Sequence, residues 1–419
     1  MHQINKFQIQ SRPRRDVGQI IAVAMLLLLL ALVFEARAQE GSQGNTTIFG
    51  GAQMTFFANH DFATPAGGTQ PGVILTERAT ATMSYLNYFG DNLMANGVTD
   101  VSHVDGYVRK YGAGQFVFPT GDNGNAGQFA ASADGTSGAY FHGDPSTAIT
   151  SNLFTGSAYP TALPAGGPFA TTSKDMTLGA VSNIEYWDID GATATKISLT
   201  WDAASAISTL TGGVASKLTI VGWNPTLSQW VKIPSTLDVT SVLGTPSNIN
   251  TTGSITTNAN IVPNTYTAYT FGAVVPDLTP TTDINSLSFL NAGDSRDFIV
   301  NLYEINNVEA TGLIRFRITK LTAFTIIYPT SSGTSDVFGG IANENSNWDF
   351  TENASFITVT AKTGINIAAN GQAKIGFNIT RKPGVPAGNA QNITPTIISG
   401  SGGEVNFTNN QVVTTVTAN

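Results

Sequence analysis

The sequence predicts an all-β protein built from two sandwich domains, and three observations carry that prediction. Charged residues make up only 11% and hydrophobic ones 41%, which is too apolar for a disordered chain. Short apolar runs, several alternating with period two, recur between turns rich in Gly, Asn, Asp and Thr. Beyond the N-terminal segment no apolar stripe has the spacing of a long amphipathic helix. The expected architecture is an N-terminal β-sandwich or jelly-roll-like domain followed by an immunoglobulin-like β-sandwich.

Residues 1–38 read as a secretory signal. Lys6, Arg12, Arg14 and Arg15 form a basic region, residues 20–34 an apolar run, and Ala36-Arg37-Ala38 a small-x-small site. The run is short for a bilayer-spanning helix, which needs about 20 residues. Cleavage is therefore expected between Ala38 and Gln39, with no membrane span in the mature chain. Pro13 interrupts the arginines, which points to the general secretory route rather than a twin-arginine one.

Processing would remove five of the 20 basic and two of the 28 acidic residues, taking the formal charge from −8 to −11. Such a surface repels phosphate backbones and anionic lipid, so nucleic acid is not an expected partner. The absence of cysteine excludes disulfide staples, thiolate metal sites and a lipidated N-terminal cysteine. Stability then has to come from a buried core, which domains of well over 100 residues can supply.

Residues 39–47 are expected to be a flexible leader and residues 48–272 the N-terminal β domain. Its strand candidates are 115–118, 184–189, 196–201, 217–223, 229–233 and 266–271. Ile197, Leu199 and Trp201 alternate with Ser198 and Thr200, the pattern of a half-buried strand. Residues 273–283, with two prolines and three threonines, read as an extended linker. Residues 284–419 hold seven further strand candidates, the number an immunoglobulin-like sandwich needs. In one of them Ile314, Phe316 and Ile318 alternate with Arg315, Arg317 and Thr319. Trp348 is the expected filler of the core volume that a disulfide occupies in antibody domains.

The second unit resembles bacterial cell-adhesion-related Ig-like repeats. The resemblance rests on Ala292-Gly293-Asp294-Ser295 before a strand and on Glu404, Asn406, Asn409 and Asn410 before the last one. It implies that the Asx side chains shape a turn leading into the closing strand. The first unit resembles N-terminal modules of secreted surface proteins of Bacteroidota-type bacteria. The matching stretches run from His103 to Lys110, from Phe116 to Asp122 and from Glu185 to Ile189. Many such proteins carry a C-terminal sorting domain, whereas this chain closes on Val413-Thr414-Thr415-Val416-Thr417-Ala418-Asn419. The expected address is the outer cell surface or extracellular space, with the periplasm as the alternative.

Few residues suggest chemistry. His60, His103 and His142 lie near carboxylates but match no zinc spacing, and core or turn histidines are the expectation. Asp122 and Asn123, and Asp188 and Asp190, sit in oxygen-rich turns that calcium would favour, though neither follows the twelve-position calcium loop. No other cofactor is expected. Trp187, Trp223 and Trp230 are the candidates for stacking on sugars, against a default of core packing. There is no Gly-x-Ser-x-Gly elbow and no phosphate loop. The expected function is a non-catalytic, adhesin-like surface or matrix protein whose partners are other surface proteins or glycans. The alternatives are a carbohydrate-binding module and a secreted glycan-active enzyme. The enzyme would need a cleft with facing carboxylates drawn from Asp105, Asp122, Glu185 and Asp188.

Overall fold

The computed structural model describes residues 40–42, 44–62, 72–78, 83–147 and 164–419. The expected signal segment and Gln39 lie outside the described residues. Strands dominate, and the single α-helix among the described residues is the short Ile207–Thr211.

The chain begins in an arrangement that alternation alone does not announce. β1 (Glu40–Ser42), β2 (Thr46–Ile48) and β3 (Gln53–Phe56) form a first turn of a three-sided coil. A second turn adds β4 (His60–Phe62), β5 (Ile74–Thr76) and β6 (Tyr85–Phe89). A third adds β7 (Ala95–Asn96), β8 (Val104–Asp105) and β9 (Tyr107–Tyr111). Every pairing between successive turns is parallel and in step: Glu40 with His60 and then Ala95, Thr46 with Ile74 and then Val104, Gln53 with Tyr85 and then Tyr107. Phe62, Ile74, Leu86, Val104 and Val108 fill the interior, so each turn buries its apolar face against the next. The expected leader thus corrects to structure: β1 and β2 belong to the coil, because their backbone groups pair with the second turn whatever their side chains.

After β9 one further parallel pairing, Thr120–Asp122 with β8, extends the coil, while the other strands that follow in this domain pair antiparallel and form a sandwich. Ser137–His142 pairs antiparallel with β9, and the sheet continues through Glu185–Asp190, Tyr269–Val274, Leu218–Asn224 and Gln229–Ile233. A five-stranded sheet made of Phe116–Phe118, Phe129–Ala131, Ser198–Trp201, Gly253–Thr257 and Ser235–Leu237 supplies the other layer. Between them lie Phe116, Phe129, Trp187, Ile189, Leu199 and Phe271, all fully buried. Trp187 and Trp201 meet the Phe271 ring edge-on at 5.4 and 6.0 Å. The strand Ser198–Trp201 is buried on both faces rather than one. Its hydroxyls are satisfied inside, Ser198 by Thr256 at 2.7 Å and Thr200 by the Gln128 carbonyl at 2.7 Å, which removes the cost of burying them.

The second domain is a sandwich of two four-stranded antiparallel sheets with a small third sheet. Leu278–Ile284, Ser295–Glu304, Gln372–Arg381 and Phe324–Ile327 form one layer; Trp348–Glu352, Phe356–Ala361, Arg315–Thr319 and Pro395–Ile397 form the other. The closing strand Thr414–Ala418 lies between Ser288–Phe289 and Asn389–Ile393. Ile314, Phe316 and Ile318 are fully buried, while Arg317 is exposed and Arg315 half-buried. Trp348 is buried beside Phe316, ring centroids 6.3 Å apart.

The expected linker is not a tether. Ala273 and Val274 end one strand and Leu278–Ile284 forms the next, leaving three residues between them. Pro276, Asp277 and Leu278 are all buried. The reason is a polar junction. Asn306 donates to the carbonyls of Val275 and Thr177 at 2.6 and 3.2 Å and receives the Lys232 ammonium at 2.8 Å. The Glu304 carboxylate accepts the backbone N–H groups of Asp277, Asn306, Val308 and Asn370. Val308 of the second domain is buried in a cluster with Phe169, Trp230 and Val274 of the first.

Candidate functional site

The outer face of the long sheet carries the titratable side chains. On Glu185–Asp190, Trp187 and Ile189 point into the sandwich core, so Tyr186, Asp188 and Asp190 share the opposite face. Ser137 pairs with both Asp190 and Arg109, and Tyr85 with Tyr107. The coil and the sandwich therefore contribute to one surface.

Three of the four carboxylates named for an enzyme are locked inside. Arg78 is fully buried and donates to Asp105 at 2.7 Å, with Asp122 at 3.6 Å. Asp122 also accepts the His142 backbone N–H at 2.9 Å, and Asp105 accepts that of Asn123 at 3.2 Å. Burial raises the Asp105 carboxyl to about 6 against the opposing pull of Arg78. Glu185, which the Tyr140 hydroxyl reaches at 2.7 Å, is pushed by burial to about 7. Only Asp188 reaches an open groove, so these four do not assemble a two-carboxylate cleft.

That groove has a volume of about 390 Å³ and is lined by Tyr85, Tyr107, Asp188, Asp190, Asn264 and Tyr266, together with Met83 and Pro164. Asp188 is 7% exposed, and one of its oxygens accepts the Tyr107 hydroxyl at 2.6 Å. Among the described residues no donor reaches the other oxygen, and neither Asp188 nor Asp190 is ion-paired. Burial, reinforced by the neighbouring Asp190, raises the Asp188 carboxyl to about 8. Burial also raises Asp190, opposed by Arg109. The Arg109 guanidinium lies 3.7 Å over one face of Tyr85 and donates to Tyr111 at 3.3 Å. Tyr266 is seated against Gly222, where a Cβ would come within 2.5 Å of its ring. Asn264 is held by the Gly191 N–H at 2.7 Å.

The remaining sequence candidates are structural. His60 is buried, stacked on Phe56 at 4.1 Å, and burial lowers its pKa to about 4. His103 is buried with Nδ1 3.1 Å from the Thr99 carbonyl, and His142 meets the Tyr140 hydroxyl at 3.0 Å. The tryptophan reading is corrected for Trp187 and Trp230, which are fully buried and turned away from any sugar, while Trp223 is half-buried and packs edge-on against Trp230 at 5.6 Å. Of the calcium candidates, Asp122 faces Arg78 and Asn123 shapes a left-handed turn (φ 50°), while Asp188 and Asp190 line the groove. Among the described residues no cluster of three or more His, Cys, Asp or Glu could hold a metal. Sequence reasoning missed the tyrosines. Tyr85 and Tyr107 align only through parallel coil pairing, and the one available signal was the i, i+2 spacing of Asp188 and Asp190.

The turn before the closing strand also acquires a role. Asn406 and Asn409 donate to the two Asp277 oxygens at 3.0 and 2.8 Å, and buried Glu404 receives Asn410 at 2.6 Å and the Leu278 N–H at 3.2 Å. The turn thereby fastens the domain junction.

No family model and no curated protein matches the chain. Among solved structures it is similar to the N-terminal domain of the Streptococcus gordonii adhesin Sgo0707, at 9% identity and TM-score 0.26, covering 73% of this chain and 79% of that one. It is similar to BcpA, the major pilin subunit of Bacillus cereus, at 11% identity and TM-score 0.22, covering 44% and 62%. It is also similar to AvmM, which catalyses macrocyclization in alchivemycin A biosynthesis, at 11% identity and TM-score 0.20, covering 34% and 88%. Likenesses this distant carry no argument about function. No helix among the described residues is long and apolar enough to cross a membrane.

Proposed function

We propose that this chain is an exported, non-catalytic, adhesin-like protein of the cell surface or extracellular matrix, binding its partner on the outer face of the N-terminal domain. One observation carries the reading: Asp105, Asp122 and Glu185 are occupied by buried partners, while Asp188, Asp190 and the tyrosines form an open groove. An open groove with a few convergent polar groups supports a recognition site. The secretory signal, the acidic surface and the cysteine-free composition fit the extracytoplasmic address. The resemblance of the second unit to adhesion-related Ig-like repeats fits a module that holds the first away from its anchor.

Protease shaving of intact producing cells tests the address, and attachment assays with a deletion strain test the activity. The expected result is a shaved protein with Gln39 at its N-terminus, together with a loss of attachment that the wild-type chain restores. Protection from the protease, or unchanged attachment after deletion, would overturn the reading.

A further inference from the structure

The groove brings two carboxyl groups together with little to answer their ionised forms. Asp188 and Asp190 project from one strand face, neither is ion-paired among the described residues, and one oxygen of the largely buried Asp188 has no donor. Arg109, which pulls on Asp190, is stacked on Tyr85 and tied to Tyr111, and Arg78, which pulls on Asp188, is engaged by Asp105 and Asp122. Ionising Asp188 in this setting is costly, and a neutral sugar, whose hydroxyls can donate hydrogen bonds, brings no charge to offset that cost. A calcium ion would need six or more oxygen ligands, against two carboxylates here. An ammonium group has three donors for the two carboxylates, and half-exposed tyrosine faces attract cations. The half-buried Met83 in the lining offers apolar surface to a methylene stem.

We propose that this groove binds a primary ammonium group carried on an aliphatic stem, as presented by a lysine side chain of a partner protein or by a free polyamine. The proposal rests on the reading of the groove as a binding site and specifies its ligand chemistry. Asp188 and Asp190 receive the ammonium, Tyr85 and Tyr266 flank it, and Tyr107 orients Asp188 through its hydroxyl. Because burial and Asp190 hold the Asp188 carboxyl up at about 8, an arriving cation that favours its ionised form displaces a proton at neutral pH.

Calorimetry on the mature chain tests this, with Nα-acetyl-lysine methylamide and cadaverine as probes and the Nε-acetylated lysine compound as the neutral control. The expected result is saturable binding of both amines, proton release, and a loss of about tenfold or more on acetylation or on Asp190→Asn. Asp188→Asn, which still accepts the Tyr107 hydroxyl, should weaken binding similarly. Arg109→Ala removes the competing cation and should tighten it. Tighter binding of the lysine compound assigns a protein partner, and tighter binding of cadaverine assigns a polyamine. Equal binding of the acetylated compound, no effect of Asp190→Asn, or binding of calcium alone overturns the proposal. Attachment lost in Asp190→Asn without amine binding would sink the amine and leave the adhesin reading standing. Amine binding without any effect on attachment would do the reverse.

Discussion

Phe316 and Arg317 are neighbours on one strand and should behave oppositely. Phe316 is fully buried against the rings of Trp348 and Phe377, at 6.3 and 6.4 Å. Phe316→Ala should destabilise the second domain by about 3–5 kcal/mol, the usual cost of deleting a large buried aromatic. Arg317 is exposed, and its guanidinium lies 4.5 Å over the Phe356 ring. Arg317→Ala should cost no more than about 1 kcal/mol, the scale of an exposed cation–π contact. Denaturant melts of the mature chain measure both, and equal losses would show that the strand's facing is misassigned. The same logic explains Arg78. A buried guanidinium is tolerable only because Asp105 and Asp122 face it across 2.7 and 3.6 Å.

At the scale of single elements, the turn before the closing strand shows how a local motif gains a tertiary duty. Asx side chains suit turns in any context; here two of them clamp Asp277. Glu404 in the same turn has its carboxyl raised by burial to about 7, against hydrogen bonds from Asn410 and Leu278 that pull it down. The folded state thus binds more protons than the unfolded chain, whose glutamate titrates near 4.5. The stability from this group is fully present below that value and is lost as pH rises through about 7. The second domain should lose roughly 2 kcal/mol between pH 5 and 8. Linkage sets an upper bound of about 1.4 kcal/mol for each pH unit between the folded and unfolded titrations, and water reaching the turn lowers it. No histidine lies in this domain to oppose the trend. Thermal melts of the mature chain at the two pH values should show the second domain's transition falling, and Glu404→Gln should flatten the dependence. An unchanged slope in that variant would assign the effect elsewhere.

For the whole molecule, the junction decides whether the two domains move as independent bodies. Pro276, Asp277 and Leu278 are buried, and Asn306 bridges Lys232, Thr177 and Val275. Limited proteolysis of the native chain should therefore spare residues 273–283, although their Pro/Thr composition reads as a linker. Asn306→Ala removes three polar contacts across the junction and should expose a cut there. First cleavage of the wild-type chain within 273–283 would refute a fastened junction.

Some of this was legible in the amino-acid order alone. Binary alternation placed Ile314, Phe316 and Ile318 inward because successive strand side chains take opposite faces. What alternation cannot express is the partner of each strand. Parallel pairing of β1–β9 joins residues 20 to 35 positions apart, and no local signal sets that register. That pairing aligns Tyr85 with Tyr107, and antiparallel pairing then brings Asp188 beside them. The groove, the inward turn of Asp122 toward Arg78 and the burial of the supposed linker all depend on contacts between distant segments. Propensity and spacing describe a strand's faces, but only the tertiary structure decides which of those faces meets water, a core or a ligand.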